Sequence, residues 1–153
     1  MLTTEIGKLL MFGDSITEFA FDQHDGTDFS LGAALQNRYL RRLQVLHRGF
    51  SGYTSKQGVE LAKGILSCEH DKRPEAQRIK LAYVFFGTND ARLKGENPTN
   101  NQHIDIDQYV SNMMEIVKEF KTRSIPLIVV LPTFHDQEMW NETHPDDLIT
   151  GDY

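Results

Sequence analysis

Residues 9–21 read LLMFGDSITEFAF. An apolar run closes on Gly13, with Asp14, Ser15 and Thr17 directly behind it, and a second apolar run begins at once. A short apolar run stopped by glycine is the pattern of a strand buried on both faces. Turn chemistry explains Gly13 and Asp14. It does not by itself explain a hydroxyl beside a carboxylate immediately after a buried strand.

The pattern continues along the chain. Lys8–Phe12 reads as the first strand. SLGAALQNRYLRRL (30–43) places Leu31, Leu35, Tyr39 and Leu43 at i, i+4 spacing, which predicts a helix capped by Asp28 or Ser30. Gln44–Gly49 is a second, weaker strand. TSKQGVELAKGILS (54–67) sets Val59, Ala62 and Leu66 on one side of a helix capped by Thr54, although Gly58 and Gly64 weaken it. Ile79–Gly87 is a third strand, dense in β-formers. Residues 105–124 carry an acidic first turn and a stripe of Tyr109, Val110, Met113, Val117 and Phe120, read as a core-facing helix. Ile125–Pro132 is the fourth strand. Apolar strands each followed by a helix predict an α/β domain with a parallel sheet covered on both faces. Lys94–His103 is a polar loop, and the segment after residue 134 has no clear periodicity.

With 153 residues, the chain suits a single domain (1–153) that buries roughly 68–70% of its unfolded surface. The net charge of −6 disfavours nucleic acid and anionic membrane surfaces as partners. Arg38, Arg41 and Arg42 fit the solvated face of a helix. No apolar run reaches about 18 residues, and the N-terminus lacks a signal-peptide pattern, so the expected location is cytoplasmic. Cys68, the single cysteine, excludes an intrachain disulfide and is expected to be inert and partly buried.

Ligands of open α/β sheets bind outside the carboxyl ends of the strands. Three loops fall there: Gly13–Thr17, Arg48–Thr54 and Gly87–Asp90. Taken singly, each is also ordinary turn chemistry. Together they fit acyl transfer. A serine behind a parallel strand can project its hydroxyl into the cleft, and attack on an ester carbonyl creates an oxyanion that needs preorganised donors. The backbone N–H groups of Ser15 and Gly52 and the side-chain amide of Asn89 are candidates. Asp14 and Asp90 are better placed to brace these loops than to move protons.

FGDSIT, GFSGYTS and FFGTNDA, in that order and each behind a strand, closely resemble the first three motifs of the SGNH hydrolases, also called GDSL-like esterases. The wording is most similar to the fungal isoamyl acetate-hydrolysing esterases. The resemblance implies Ser15 as nucleophile and Gly52 and Asn89 as oxyanion donors beside the Ser15 N–H. It implies a flavodoxin-like three-layer α/β/α fold with strand order 2-1-3-4-5. It also implies cleavage of short-chain acetate esters such as isoamyl acetate, with no metal or cofactor. The lipase elbow G-x-S-x-G is absent, which disfavours an ordinary α/β-hydrolase.

The family carries its Asp and His in a fourth motif, D-x-x-H, after a fifth strand. The 153 residues contain no D-x-x-H that fits. The expectation is therefore a domain cut short after about four strands, with Ser15 lacking an identified base and the fourth strand's apolar edge open to self-association. His135, beside Asp136 after that strand, and His144 in NETHPDD are weak substitutes, as are His24, His47, His70 and His103. Two other readings stand beside the esterase. One is a non-catalytic, partner-dependent binding remnant. The other is a phosphate or flavin binder using GDSIT, which Asp14, Glu18 and the absence of a Walker lysine oppose.

Overall fold

A computed structural model describes residues 5–23, 26, 29–92 and 102–133. Its elements follow the expected alternation. Strand β1 (Gly7–Gly13) leads into a single helical turn α1 (Ser15–Glu18), then α2 (Leu31–Arg38) and β2 (Leu43–Gly49). Helix α3 (Ser55–Leu66) runs on into a wide π-helical extension (Ser67–Asp71). Strand β3 (Ile79–Phe85), helix α4 (Ile106–Lys121) and β4 (Leu127–Val130) complete it. The four strands are parallel in the order β2-β1-β3-β4, which matches the first four places of the expected sheet.

Strand β1 is central, and all seven of its residues are buried. Its side chains alternate between two cores. Leu10 and Phe12 face α3 and α4, packing with Ala62, Leu66, Ile116 and Phe120. Leu9 and Met11 face the other way, with Tyr83, Phe21, Leu35 and Tyr39. This is the three-layer arrangement that an all-apolar strand requires, because a one-sided sheet would leave half of it in water.

The elements differ from expectation in local and instructive ways. Helix α2 stops at Arg38 because the chain must reverse to bring Leu43 into register with Gly7; Arg41 takes a left-handed backbone (φ 61°) in that turn. Leu35, Tyr39 and Leu43 all join one core, but from a helix, a turn and a strand in succession. Leu31 is not part of that face: it is 45% exposed, and Gly32 is buried against the Phe21 ring in its place. Ser30 supplies the cap by accepting from the Ala33 N–H. Arg41 and Arg42 are exposed in the turn rather than on a helix. In α4 the buried face is Asn112, Met113, Ile116 and Phe120, and Val110 points to solvent. Gly58 costs α3 some helix propensity, yet a Cβ there would lie 2.9 Å from the Phe86 ring. Cys68 is exposed rather than partly buried, on the outer side of the π-helical extension.

Strand β4 pairs only with β3 among the described strands. Ile128 and Leu131 are more than half exposed along it. Among the described residues no helix is long and apolar enough to cross a membrane.

Candidate active site

The register aligns Gly13 with both Gly49 and Phe85, so the loops after β1, β2 and β3 leave the sheet at one end. Hydrogen bonds then tie them to one another. The Phe50 N–H donates to the Gly13 carbonyl at 3.0 Å. The Ser51 N–H donates to the carboxylate of Glu18, and the Asn89 side-chain amide donates to the Tyr53 carbonyl at 2.8 Å. From the third loop, the Gln102 amide reaches back to the Gly52 carbonyl at 2.6 Å.

Ser15 is the first residue of α1 and is half-buried. Asp14 caps that turn. Its Oδ1 accepts from the Ile16 N–H at 3.0 Å, and its carbonyl accepts from Thr17 and Glu18. The Ser15 N–H is the first-turn donor that none of these bonds uses. The Ser15 hydroxyl has no hydrogen-bond partner among the described residues, and both of its polar groups are therefore available to a ligand.

Gly52 adopts φ +78°, a left-handed conformation that a side chain would strain, and it turns the backbone of the second loop between Ser51 and Tyr53. A groove of about 480 Å³ opens beside it, lined by Thr54, Lys56, Gln57, Gln102 and His103. Asn89 is 7% exposed. One of its two N–H groups is spent on Tyr53, which leaves the other as a donor.

The two aspartates hold different positions. The Asp90 carboxylate accepts from the Ser55 N–H, at 3.0 Å to each oxygen, and from the Ser55 hydroxyl, which pins the third loop to the start of α3. Asp14 is 1% exposed, and its Oδ2 has no partner among the described residues. Burial pushes the Asp14 carboxyl up; the Ile16 N–H pulls it partly back, and the negative charge of Asp90 adds to the rise. The folded chain thus holds this proton more tightly than the unfolded chain does. Stability contributed here is present below the ordinary value of 3.8 and is lost as pH climbs through the raised folded value. Asp14→Asn should therefore melt higher than the parent at pH 7, with the gap closing as pH is lowered towards 3.8. Melting curves at pH 7 and pH 4 check this; a variant that melts lower by the same margin at both would contradict it.

No described histidine hydrogen-bonds Ser15. His47 lies on β2 with its ring 5.2 Å from that of Phe21. His70 sits beside Ile79 at the start of β3, the other end of the sheet, and burial lowers its pKa. His103 has Nδ1 2.6 Å from the Arg92 carbonyl and Nε2 3.3 Å from Asp105. His24, His135, His144 and Asp28 lie outside the described residues. Sequence reasoning missed Glu18, Gln102, Ser55 and Asn112. Only Asn112 left a signal, as an amide on the buried face of an otherwise apolar stripe.

The profile of the GDSL-like Lipase/Acylhydrolase family matches residues 11–151, which takes in all three loops. The chain belongs to this family. Among curated relatives, the isoamyl acetate-hydrolyzing esterase of Saccharomyces cerevisiae is 36% identical over 148 residues, covering 94% of this chain and 57% of its own length. The human isoamyl acetate-hydrolyzing esterase 1 homolog is 36% identical over 139 residues, covering 88% and 51%. The chain thus spans about half the length of the curated relatives it matches. Solved structures share the fold. The SGNH-hydrolase family esterase AlinE4 superposes with a TM-score of 0.57 at 24% identity, over 84% of this chain and 60% of its own. A lipase/acylhydrolase from Enterococcus faecalis gives 0.60 at 21% identity, over 92% and 62%.

Proposed function

We propose that this GDSL-like chain is built to hydrolyse short-chain carboxylic esters, acetates such as isoamyl acetate among them, with Ser15 as nucleophile. The observation that carries the reading is the set of hydrogen bonds joining the three loops, beside a Ser15 hydroxyl that has no partner among the described residues. The names of the curated relatives point to the same chemistry.

In this reading the Ser15 Oγ attacks the ester carbonyl carbon. The carbonyl π pair moves to oxygen, and that oxyanion is met by the N–H groups of Ser15 and Gly52 and the free N–H of Asn89. Collapse of the tetrahedral species expels the alkoxide, which takes up the proton lost by Ser15 and leaves as the alcohol; water then cleaves the acyl-serine to the carboxylic acid and free Ser15. Asp14 and Asp90 brace the loops. The hydroxyl proton needs a base, and none of the described histidines is bonded to Ser15. Loss of one member of a serine triad removes on the order of 10⁶ in turnover. Oxyanion stabilisation and binding alone leave about 10³–10⁴ over water, the floor for such a site working without its base.

The test is covalent. A fluorophosphonate incubated with the 153-residue chain should add its phosphonyl mass to the peptide holding Ser15, and Ser15→Ala should abolish the adduct. A chain that stays unmodified under forcing conditions would instead be a remnant that binds without catalysis.

A further inference from the structure

Behind Asn89 lies a polar chain that crosses the apolar core to α4. Asn112, 7% exposed among Met113, Ile116 and Phe120, donates its amide to the Ser55 hydroxyl at 2.9 Å. Its Oδ1 accepts from the Gln108 amide at 2.8 Å, which fixes which way round the Asn112 amide lies. Ser55 is fully buried. Its hydroxyl has one proton. Since Asn112 donates to that oxygen, the proton is directed at Asp90 Oδ1, where the contact is very short. Asp90 adjoins Asn89, and its carbonyl also accepts from the Ile104 N–H at 3.0 Å. Three buried polar side chains, Asn112, Ser55 and Asp90, thus run in series, with the exposed Gln108 donating at the outer end and Asn89 next to Asp90 in the chain at the inner end.

A core position occupied by an amide rather than a leucine costs stability unless every polar atom is satisfied. Here the bonds are made, and they lead to one place. Resting on the reading of the site given above, we infer that Asn112 is a positioning residue: acting through Ser55 and Asp90, it holds the Asn89 amide where the oxyanion develops. Asn112 touches no substrate. It orients the donor that does. A displacement of about 1 Å in such a donor can cost as much as 10²-fold in rate, so the control lies far from the reacting atoms.

Asn112→Asp is the sharpest probe. It puts a second acceptor against the Ser55 hydroxyl, whose single proton cannot serve two carboxylates. Turnover of 4-nitrophenyl acetate by the 153-residue chain should fall about tenfold in kcat with KM unchanged, since the donor acts on the transition state and not on ground-state binding. Asn112→Leu keeps the volume, removes the donor and should give a smaller loss of the same kind. In an Asn89→Ala background, Asn112→Asp should cost nothing further in kcat, because the group it positions is gone. The Asn89 side-chain amide resonances, followed by nitrogen-15 NMR, should shift in both Asn112 variants. If Asn89→Ala impairs turnover while both Asn112 variants keep the parent kcat, the inference is overturned and the esterase reading survives. If Asn89→Ala has no effect, the oxyanion role fails, and an unshifted Asn89 amide in Asn112→Leu then overturns the positioning role on its own. Losses that add in the double variant, with only the melting temperature moved, would also reduce Asn112 to a packing residue.

Discussion

Asn89→Ala should lower ester turnover by about 10²–10³, the usual cost of one oxyanion donor. The reason lies in what the chain has to work with. In the proposed reading, Asn89 donates to charge that develops only in the transition state, where a preorganised donor counts most. Of the three proposed donors, two are backbone N–H groups that only proline would remove, and Asn89 is the one that an ordinary side-chain substitution deletes. The change has a structural cost as well, because the Tyr53 carbonyl loses its 2.8 Å partner and the second and third loops lose a tie. A loss of kcat at constant KM, with a melting temperature close to the parent's, would separate the electronic effect from the structural one. Asn89→Asp should be equally poor, since a carboxylate repels an oxyanion of the same charge. An Asn89→Ala chain that turns over as fast as the parent would remove Asn89 from the site.

Phe12→Ala should cost about 3–5 kcal/mol of folding stability. Phe12 is fully buried on the central strand, packed edge-on against Phe86 (centroids 5.0 Å apart) and Phe50 (6.4 Å). The three rings join β1 to the loops behind β2 and β3, so the cavity would open directly beneath the site. Domains of this size carry about 5–15 kcal/mol in total. A loss of that size is a large share of this total, and the substitution should leave a measurable fraction of the chain unfolded at 37 °C. Urea titration of parent and variant measures the difference. Phe12→Leu, which keeps most of the volume, should lose less than half as much. Equal midpoints for Phe12→Ala and the parent would mean that the two aromatic contacts contribute little.

The strands were legible because a strand buried on both faces leaves no polar positions to blur the reading; Leu9–Phe12 and Leu81–Phe85 announce themselves. The loops of Ser15 and Asn89 were legible for a related reason, since each follows such a strand; Gly52 follows the weaker, half-buried β2, and parallel pairing carries all three loops to one end. What escaped was long-range. Nothing near Glu18 says that its carboxylate takes the Ser51 N–H, and nothing near Gln102 says that it holds Gly52. The end of α2 escaped because Leu43 continues the helical spacing after the backbone has turned at Arg41. Local periodicity cannot register a reversal that only strand pairing demands.

The place of β1 in the sheet has a consequence for how the chain is made. Of the four described strands, the first to be synthesised is the one that must end in the middle, with β2 on one side and β3 on the other. It leaves the ribosome with seven residues destined for full burial and no partner for either edge. Its second neighbour is complete only when Phe85 has been added. At the usual 5–20 residues per second, that is a wait of roughly 4–14 s. Until then at least one edge of the strand just ahead of the proposed nucleophile stays open, and a nascent-chain chaperone that recognises short apolar runs would meet it before its sheet is complete.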